Sequence, residues 1–314
     1  MKFIVMGTGG VGGYFGARLF QSGQSVMFVG RGSHLEAMTR SGLRVVTRGE
    51  TMLIPPRVIV GSVSALEPAD VVLVCVKSYD TESTAKLLAP VLHQDTVVIS
   101  LQNGVDNEEK ILHSIPTGRV FGGIAYIYAT ITRPGEVTES GGPRKIQFAP
   151  FPGAGEEDFV AARRIREVCL RAGIDADVPD DIQAALWKKF IFITGAAGIT
   201  ALTRLTLGEI LAVEPTRRLL LDAMRETESV ARAKGIAIEP GFLDATFASL
   251  KKFDNATRSS LYYDLTHEKP MELEALAGTV VRFGRDTGVP TPIQRVIYSS
   301  LLPHHLRHTQ RIPS

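Results

Sequence analysis

Two stretches of the chain carry residue types that could do chemistry. The run "LWKKFIFITGAAGITAL" (186–202) places two lysines at the head of an otherwise apolar or small-residue segment. An unpaired ammonium is costly to bury, so either both lysines lie at the surface or one is aimed into a closed pocket. On a helix Lys189 shares a face with Ile193, Ala196 and Thr200, whereas Lys188 is turned about 100° away, and the run by itself leaves both readings open. The second stretch is "GTGGVGG", in which Gly7, Gly9 and Gly12 form G-x-G-x-x-G. Such glycines make a tight turn, admit a pyrophosphate close to the backbone and let helix and strand pack together. The anion then rests on amides at the helix N-terminus. Gly10, inside the same turn, is counted with them as a cofactor-binding position. The competing reading is a glycine-rich turn without a ligand.

The end of the second predicted strand bears on the kind of dinucleotide. NAD sites place an Asp or Glu about 20 residues past the glycines to bind the ribose hydroxyls. Here the segment reads "MFVGRGSHLEAM", with no acid before Glu36 and with Arg31 at the strand end. A guanidinium suits a 2′-phosphate, so NADPH is the expected cofactor, against the plainer reading of Arg31 as a solvated charge.

The elements that must position these residues follow from the apolar pattern. Runs 2–6, 25–29, 70–76 and 96–100 are rich in Val and Ile and alternate with helix-like segments near 11–22, 33–41, 81–91 and 106–113. That alternation predicts a parallel sheet covered on both faces. From 119 to 148 β-branched and aromatic residues are broken by "RPGE" and "SGGPRK", which predicts antiparallel hairpins on the sheet edge. A helix at 156–172 and a strand at 174–178 close this half. Beyond "VPDDIQ" helices are expected at 181–212, 214–234, 240–250, 257–267, 270–287 and 291–306. The predicted fold class is α/β, a Rossmann-type doubly wound sheet followed by an all-helical domain, with boundaries at 1–179 and 180–314.

Bulk properties narrow the function. The 314 residues suit two domains, and 44% hydrophobic with 22% charged residues is ordinary for a folded soluble protein. A net charge of +2 gives no footprint for nucleic acid or membrane. The two cysteines read as small buried hydrophobes. The lysine-headed run falls short of the roughly 18 apolar residues of a spanning helix, and the glycines near the N-terminus interrupt any signal-peptide core. A cytoplasmic setting is therefore expected. The tail "PHHLRHTQRIPS" contains His304, His305 and His308, which read as a frayed polar end rather than a metal site. No metal is expected.

The chain resembles the ketopantoate reductase (2-dehydropantoate 2-reductase) family. The landmarks are "GTGGVGG" (7–13), "VKSYDT" (76–81), "LQNGV" (101–105), "LWKKF" (186–190), "SSLYYDLTHEKPMELEALAG" (259–278) and "GVPTPI" (288–293), in order along nearly the whole chain. The resemblance implies NADPH-dependent reduction of 2-dehydropantoate to pantoate, with the dinucleotide domain first and the helical domain second. It implies Lys189 as the general acid that protonates the developing alkoxide. It implies Glu272 as the acid that positions substrate, Ser260 as a substrate-binding serine, and Asn103 and Lys77 at strand ends on the nicotinamide side, Asn103 serving both cofactor and substrate. One departure stands out. Where the best-known members carry asparagines four and eight residues after the lysine, this chain has Ile193 and Ala197, expected to line the substrate site. Another, more apolar 2-oxo acid is therefore the alternative substrate, and a non-catalytic NADPH-binding regulator is the alternative class. Expected partners are a small 2-oxo acid and a second copy of the chain as a homodimer, with neither nucleic acid nor a membrane.

Overall fold

Valine- and isoleucine-rich runs make the central strands, and their alternation sends side chains to two different cores. The structure, a computed structural model, describes residues 1–250 and 254–309. The chain divides into two compact units, Met1–Gln183 and Ala184–Ser314. In the first unit β1 (Lys2–Met6), β2 (Ser25–Val29), β6 (Val71–Val74) and β7 (Val97–Ser100) are parallel neighbours. Phe3, Val5, Val71, Leu73, Val97 and Ile99 face one core, and Ile4, Met6, Val72, Val74 and Val98 the other. The full strand order is β4-β3-β9-β8-β7-β6-β1-β2-β5, with β10 beside β9. It includes β3 (Leu43–Val46), β4 (Thr51–Ile54), β5 (Ile59–Val60), β8 (Arg119–Arg133), β9 (Glu136–Ala149) and β10 (Asp175–Asp177). This is the expected mixed α/β architecture followed by helices.

Two strand features differ from the sequence-based expectation. Residues 119–149 form one long hairpin, β8–β9, turning at Pro134–Gly135, where Gly135 takes φ +81°. Proline followed by a left-handed glycine is the chemistry of a type II turn. "SGGPRK" lies inside β9 as a bulged region, with Gly141, Gly142 and Arg144 all at positive φ and register shifts opposite Tyr126 and Tyr128. Glycine and proline in a strand often mark such a bulge. The hairpin is also not on the edge, because β7 flanks β8 while β3 and β10 flank β9.

The hairpin explains why the first helix holds more glycine than a phosphate turn requires. Helix α1 (Gly10–Gln21) meets strands β1 and β2 through Gly12 and Gly16: a Cβ at Gly16 would lie 2.6 Å from Phe28 and 2.9 Å from Val5. Elsewhere on the helix Gly10 and Gly13 abut β8 and β9, where a Cβ at Gly10 would lie 2.0 Å from the Ala129 carbonyl oxygen. Helices α2 (Gly32–Ser41), α3 (Thr81–Lys86), α4 (Asn107–Ser114) and α5 (Glu156–Arg171) complete this unit.

The second unit is helical: α6 (Ile182–Thr203), α7 (Leu207–Ala212), α8 (Glu214–Ala233), α9 (Phe242–Ser249), α10 (Ser260–Thr266), a π-helical turn at Glu274–Gly278, α11 (Thr279–Thr287) and α12 (Pro292–His308). The helix expected over 181–212 breaks at Arg204, which adopts a left-handed φ of +59°. It restarts where Thr206 and Glu209 form a reciprocal capping box. Helix α6 spans 22 residues, and its most apolar 18 have a mean hydropathy of 1.3, long and apolar enough by composition to cross a membrane, contrary to expectation. Its most apolar window is 61% buried inside the protein, as befits a core helix. Gly195 and Gly198 let it approach neighbours closely, since Cβ atoms there would meet Met224 at 2.5 Å and Ile297 at 2.8 Å. Pro292 opens α12, whose Ile293 and Gln294 amides donate to the Glu226 carboxylate at 2.8 and 2.9 Å.

The histidine-bearing tail differs too. Helix α12 continues to His308, and His305 is buried with Nδ1 accepting from the Met271 amide at 3.2 Å. Residues 310–314 lie outside the described residues.

The packing of α1 yields a first test. Gly10→Ala forces a side chain into backbone, so it should cost at least the ~1–3 kcal/mol of overpacking and lower Tm by several degrees. Gly49→Ala, where a Cβ meets nothing within 4 Å, should leave Tm nearly unchanged. Differential scanning calorimetry of both variants checks this.

Candidate active site

The glycine-rich turn follows β1 at the point where the sheet's connections reverse, since β2 lies on one side of β1 and β6 on the other. Such switch points open a crevice beyond the carboxyl ends of the strands. Gly7 takes φ +96°, and a Cβ there would strike the Val76 amide nitrogen at 2.7 Å. The Gly7 and Thr8 amides donate to the Val29 carbonyl at 3.1 and 3.2 Å, hooking the turn to β2. A Cβ at Gly12 would sit 2.2 Å from the Gly7 carbonyl oxygen, and one at Gly9 would meet nothing within 4 Å. Gly9 is thus the open position, at the N-cap of a helix whose first turn holds no acidic residue. A pyrophosphate fits there, beside amides that have no partner within the helix. Gly10 is different: the space above its Cα belongs to β8, so its glycine identity has a packing cause.

His34 fixes the turn from the other side, and the sequence reading overlooked it. Its Nδ1 accepts from the Gly135 amide at 3.0 Å, so Nε2 carries the proton and donates to the Thr8 carbonyl at 2.9 Å. Burial pushes its pKa down, which favours this neutral form. Arg31 stands as the N-cap residue of α2, and its Nη2 donates to Asp80 Oδ2 at 2.5 Å. Asp80 raises the guanidinium's pKa through that bond.

Lys77 and Asn103 stand on the loops that leave β6 and β7, both half-buried. A buried polar network pins these loops. Gln102 Nε2 donates to the Val76 carbonyl at 2.9 Å and to Thr81 Oγ1 at 2.8 Å. Thr81 Oγ1 lies 2.8 Å from the Ser78 carbonyl and 3.0 Å from Asn107 Oδ1, while Asn107 Nδ2 donates to the Asn103 carbonyl at 2.9 Å. Satisfied networks of this kind hold loops in one arrangement. The one sequence signal for Gln102 is a polar residue two positions past an apolar strand, within "LQNGV". Its buried role was not legible.

In the second unit the two lysines of the opening run part company. Lys188 Nζ pairs with Glu239 at 2.7 Å in a partly exposed ion pair. Lys189 is half-buried as a residue, yet its ammonium lies in desolvated surroundings that push its pKa down to about 8, with the charge of Glu272 opposing the shift. Glu272 is 6% exposed. Its backbone carbonyl accepts from Leu276, and the π-helical turn begins two residues after it. π-Helical turns recur at functional sites because the extra residue re-aims side chains. His305, through the Met271 amide, anchors the residue immediately before Glu272.

Along α6, Ile193 and Ala196 are half-buried, and Ala197 and Thr200 are buried. The Thr200 hydroxyl lies 2.8 Å from Ser259 Oγ, and Ser259 caps α10 by accepting from the Tyr262 amide at 3.0 Å. Ser260 sits one residue on, with its side chain exposed. The serine that touches α6 is therefore Ser259, and helix phase separates the two neighbours.

In the first unit a glycine-rich turn at a sheet's switch point is suited to a dinucleotide, and in the second an enclosed lysine near a buried carboxylate is suited to proton transfer. Comparison with known proteins agrees. The pattern described as Ketopantoate reductase PanE/ApbA matches residues 3–153, and that of its C-terminal part matches residues 181–304. A 2-dehydropantoate 2-reductase of Archaeoglobus fulgidus is 31% identical over 93% of this chain and 94% of its own. An oxidoreductase of Bacillus subtilis, YkpB, is 27% identical over 96% and 98% of the two chains. A PanE/ApbA family ketopantoate reductase from Ralstonia eutropha JMP134 superposes with a TM-score of 0.88 at 28% identity, covering 98% of this chain and all of that one. This chain belongs to the ketopantoate reductase PanE/ApbA family, and it is an NAD(P)-dependent oxidoreductase.

The opposing influences on Lys189 give a second test. Glu272→Gln removes the charge that holds the ammonium's pKa up, so the pKa should fall below about 8. Nitrogen NMR of labelled lysine across a pH series reads it. An unchanged pKa would mean that Glu272 does not act on Lys189.

Proposed function

We propose that this protein reduces a 2-oxo acid with NADPH, that 2-dehydropantoate is the substrate and pantoate the product, and that Lys189 is the general acid. The observation that carries the reading is the enclosed Lys189 ammonium, held near pKa 8 by burial and by Glu272. A group with that pKa is largely protonated at neutral pH and still able to release its proton, the balance that general acid catalysis favours.

Gly7, Gly9 and Gly12 would hold the dinucleotide at its pyrophosphate, with Arg31 toward the 2′-phosphate and Lys77 and Asn103 toward the nicotinamide end. When bound, the dinucleotide supplies a hydride to the keto carbon. The chain's own task is to meet the negative charge growing on the keto oxygen. Lys189 Nζ stabilises that charge and delivers the proton, while Glu272 keeps the ammonium charged and orients a substrate hydroxyl. Ser260, exposed at the first turn of α10, would contact substrate only from that surface. A pure dinucleotide-binding regulator has no use for an enclosed ammonium beside a buried acid, which argues against the non-catalytic alternative.

A second substrate reading rests on α6. Half-buried Ile193 presents an alkyl group, Ala197 adds only a buried methyl, and the nearby hydroxyls of Thr200 and Ser259 are engaged with each other. That surface favours an apolar 2-oxo acid, because it offers little to a hydroxylated side chain.

One set of assays tests both readings. NADPH consumption should be followed with 2-dehydropantoate, its analogue lacking the hydroxyl, and a series of branched 2-oxo acids. Preference for 2-dehydropantoate over the analogue supports the first reading, and the reverse order supports the second. On the best substrate Lys189→Ala should lower kcat by about 100-fold or more, the scale of a positioned acid. Lys188→Ala, which loses only a partly exposed ion pair, should change it little. Equal effects of the two substitutions would refute the assignment of Lys189.

A further inference from the structure

The loop after β6 brings a carboxylate to the residue proposed to read the 2′-phosphate. Arg31 Nη2 donates to Asp80 Oδ2 at 2.5 Å, with the arginine side chain 76% exposed and the aspartate 20%. The bond does not come from the needs of the loop's backbone. The Asp80 amide donates to the Lys77 carbonyl, the Asp80 carbonyl accepts from Ser83 Oγ, and the carboxylate makes no cap for α3 although Asp80 stands at its N-cap. The carboxylate is turned to the guanidinium instead. NAD sites draw their ribose-binding acid from the end of strand two. This chain has none there, and a different strand's loop supplies one.

We infer that Asp80 is a specificity-determining residue: it offsets the Arg31 charge and sets a carboxylate against an entering 2′-phosphate, so that the site takes NADH alongside NADPH. The inference rests on the reading that Arg31 faces the ribose 2′ position. Arg31 alone would bind the dianion through charge-assisted bonds, which are strong and directional. With Asp80 attached, one N–H is already committed and the pair is nearly neutral. An incoming phosphate must share the guanidinium with a like charge, whereas the hydroxyl of NADH meets an acceptor of the kind that NAD sites use. Tyr79, the residue before Asp80, is exposed beside Arg31. The exposed Arg31 side chain leaves the Arg31–Asp80 contact accessible to a ligand.

The test uses Asp80→Asn, which keeps the side chain's shape and removes its charge, in the full chain. Affinities for NADPH and NADH are measured by isothermal titration calorimetry, alongside kcat/KM with each cofactor. Removing one like charge beside a partly exposed phosphate should raise the NADPH-over-NADH affinity ratio by about 10-fold at low salt, and by less at high salt. A ratio that stays constant or falls overturns the inference, a fall showing that Asp80 instead steadies Arg31 for the phosphate. Arg31→Ala in the same titrations tests the underlying reading separately. A selective loss of NADPH upholds it, and equal losses of both cofactors defeat it whatever Asp80→Asn does. A melting curve for Asp80→Asn within a degree or two of the parent's assigns any change in ratio to binding.

Discussion

The enclosed ammonium of Lys189 is the constraint on which the helical unit depends. Burial opposes the charge and Glu272 supports it, leaving a pKa near 8. Both groups must be held still for that balance to persist, and the surrounding elements do so. Helix α6 is locked to α8 and α12 through contacts at Gly195 and Gly198 that leave no room for a side chain. Thr194 reaches Thr227 at 2.9 Å, and Gln294 donates to the Ala223 carbonyl at 3.1 Å, so the three helices share a buried polar seam. Trp187, two residues before the lysine, stacks on Phe283 with centroids 6.0 Å apart. On the other side of the pair, Glu272 is placed by a π-helical turn and by a histidine that holds the preceding amide.

The dinucleotide-binding unit answers a different demand, close approach of backbone. Gly7, Gly10 and Gly12 each sit where a Cβ would collide with main chain, and only Gly9 opens onto free space. The glycine-rich turn therefore needs rigid surroundings as much as it needs glycine. The β8–β9 hairpin provides one wall, and His34 ties the hairpin's turn to the carbonyl of Thr8. The loops after β6 and β7 gain similar rigidity from Gln102, Thr81 and Asn107.

Much of this was legible in the sequence, for reasons that particular residues make plain. Continuous Val/Ile runs revealed the parallel strands because both faces are buried. The resemblance of "LWKKF" to the family's motif singled out Lys189, helix phase turned Lys188 away from it, and the structure gives the latter an ordinary partner in Glu239. The missed elements are those whose local signals compete. "LRVVTRGETMLI" is a hairpin of two four-residue strands, too short for its alternation to stand out. "SGGPRK" has turn composition but is stitched into β9 by pairing on both sides. Thr206 and Glu209 carried a helix-start signal hidden inside a longer apolar pattern. Asp80 and His305 were illegible as partners, because Arg31 is 49 residues from the first and Met271 is 34 from the second. Pairings that distant in sequence follow from topology rather than from local spacing.

The pH dependence of reduction tests the central claim most directly. If the Lys189 ammonium is the acid, kcat/KM for the best 2-oxo acid should be level below about pH 8 and fall about tenfold per unit above it, as the proton is lost. The limb should be absent from NADPH binding measured over the same range, since the lysine serves the keto oxygen and not the dinucleotide. A rate that stays level to pH 10, or a limb that appears equally in cofactor binding, would contradict the account.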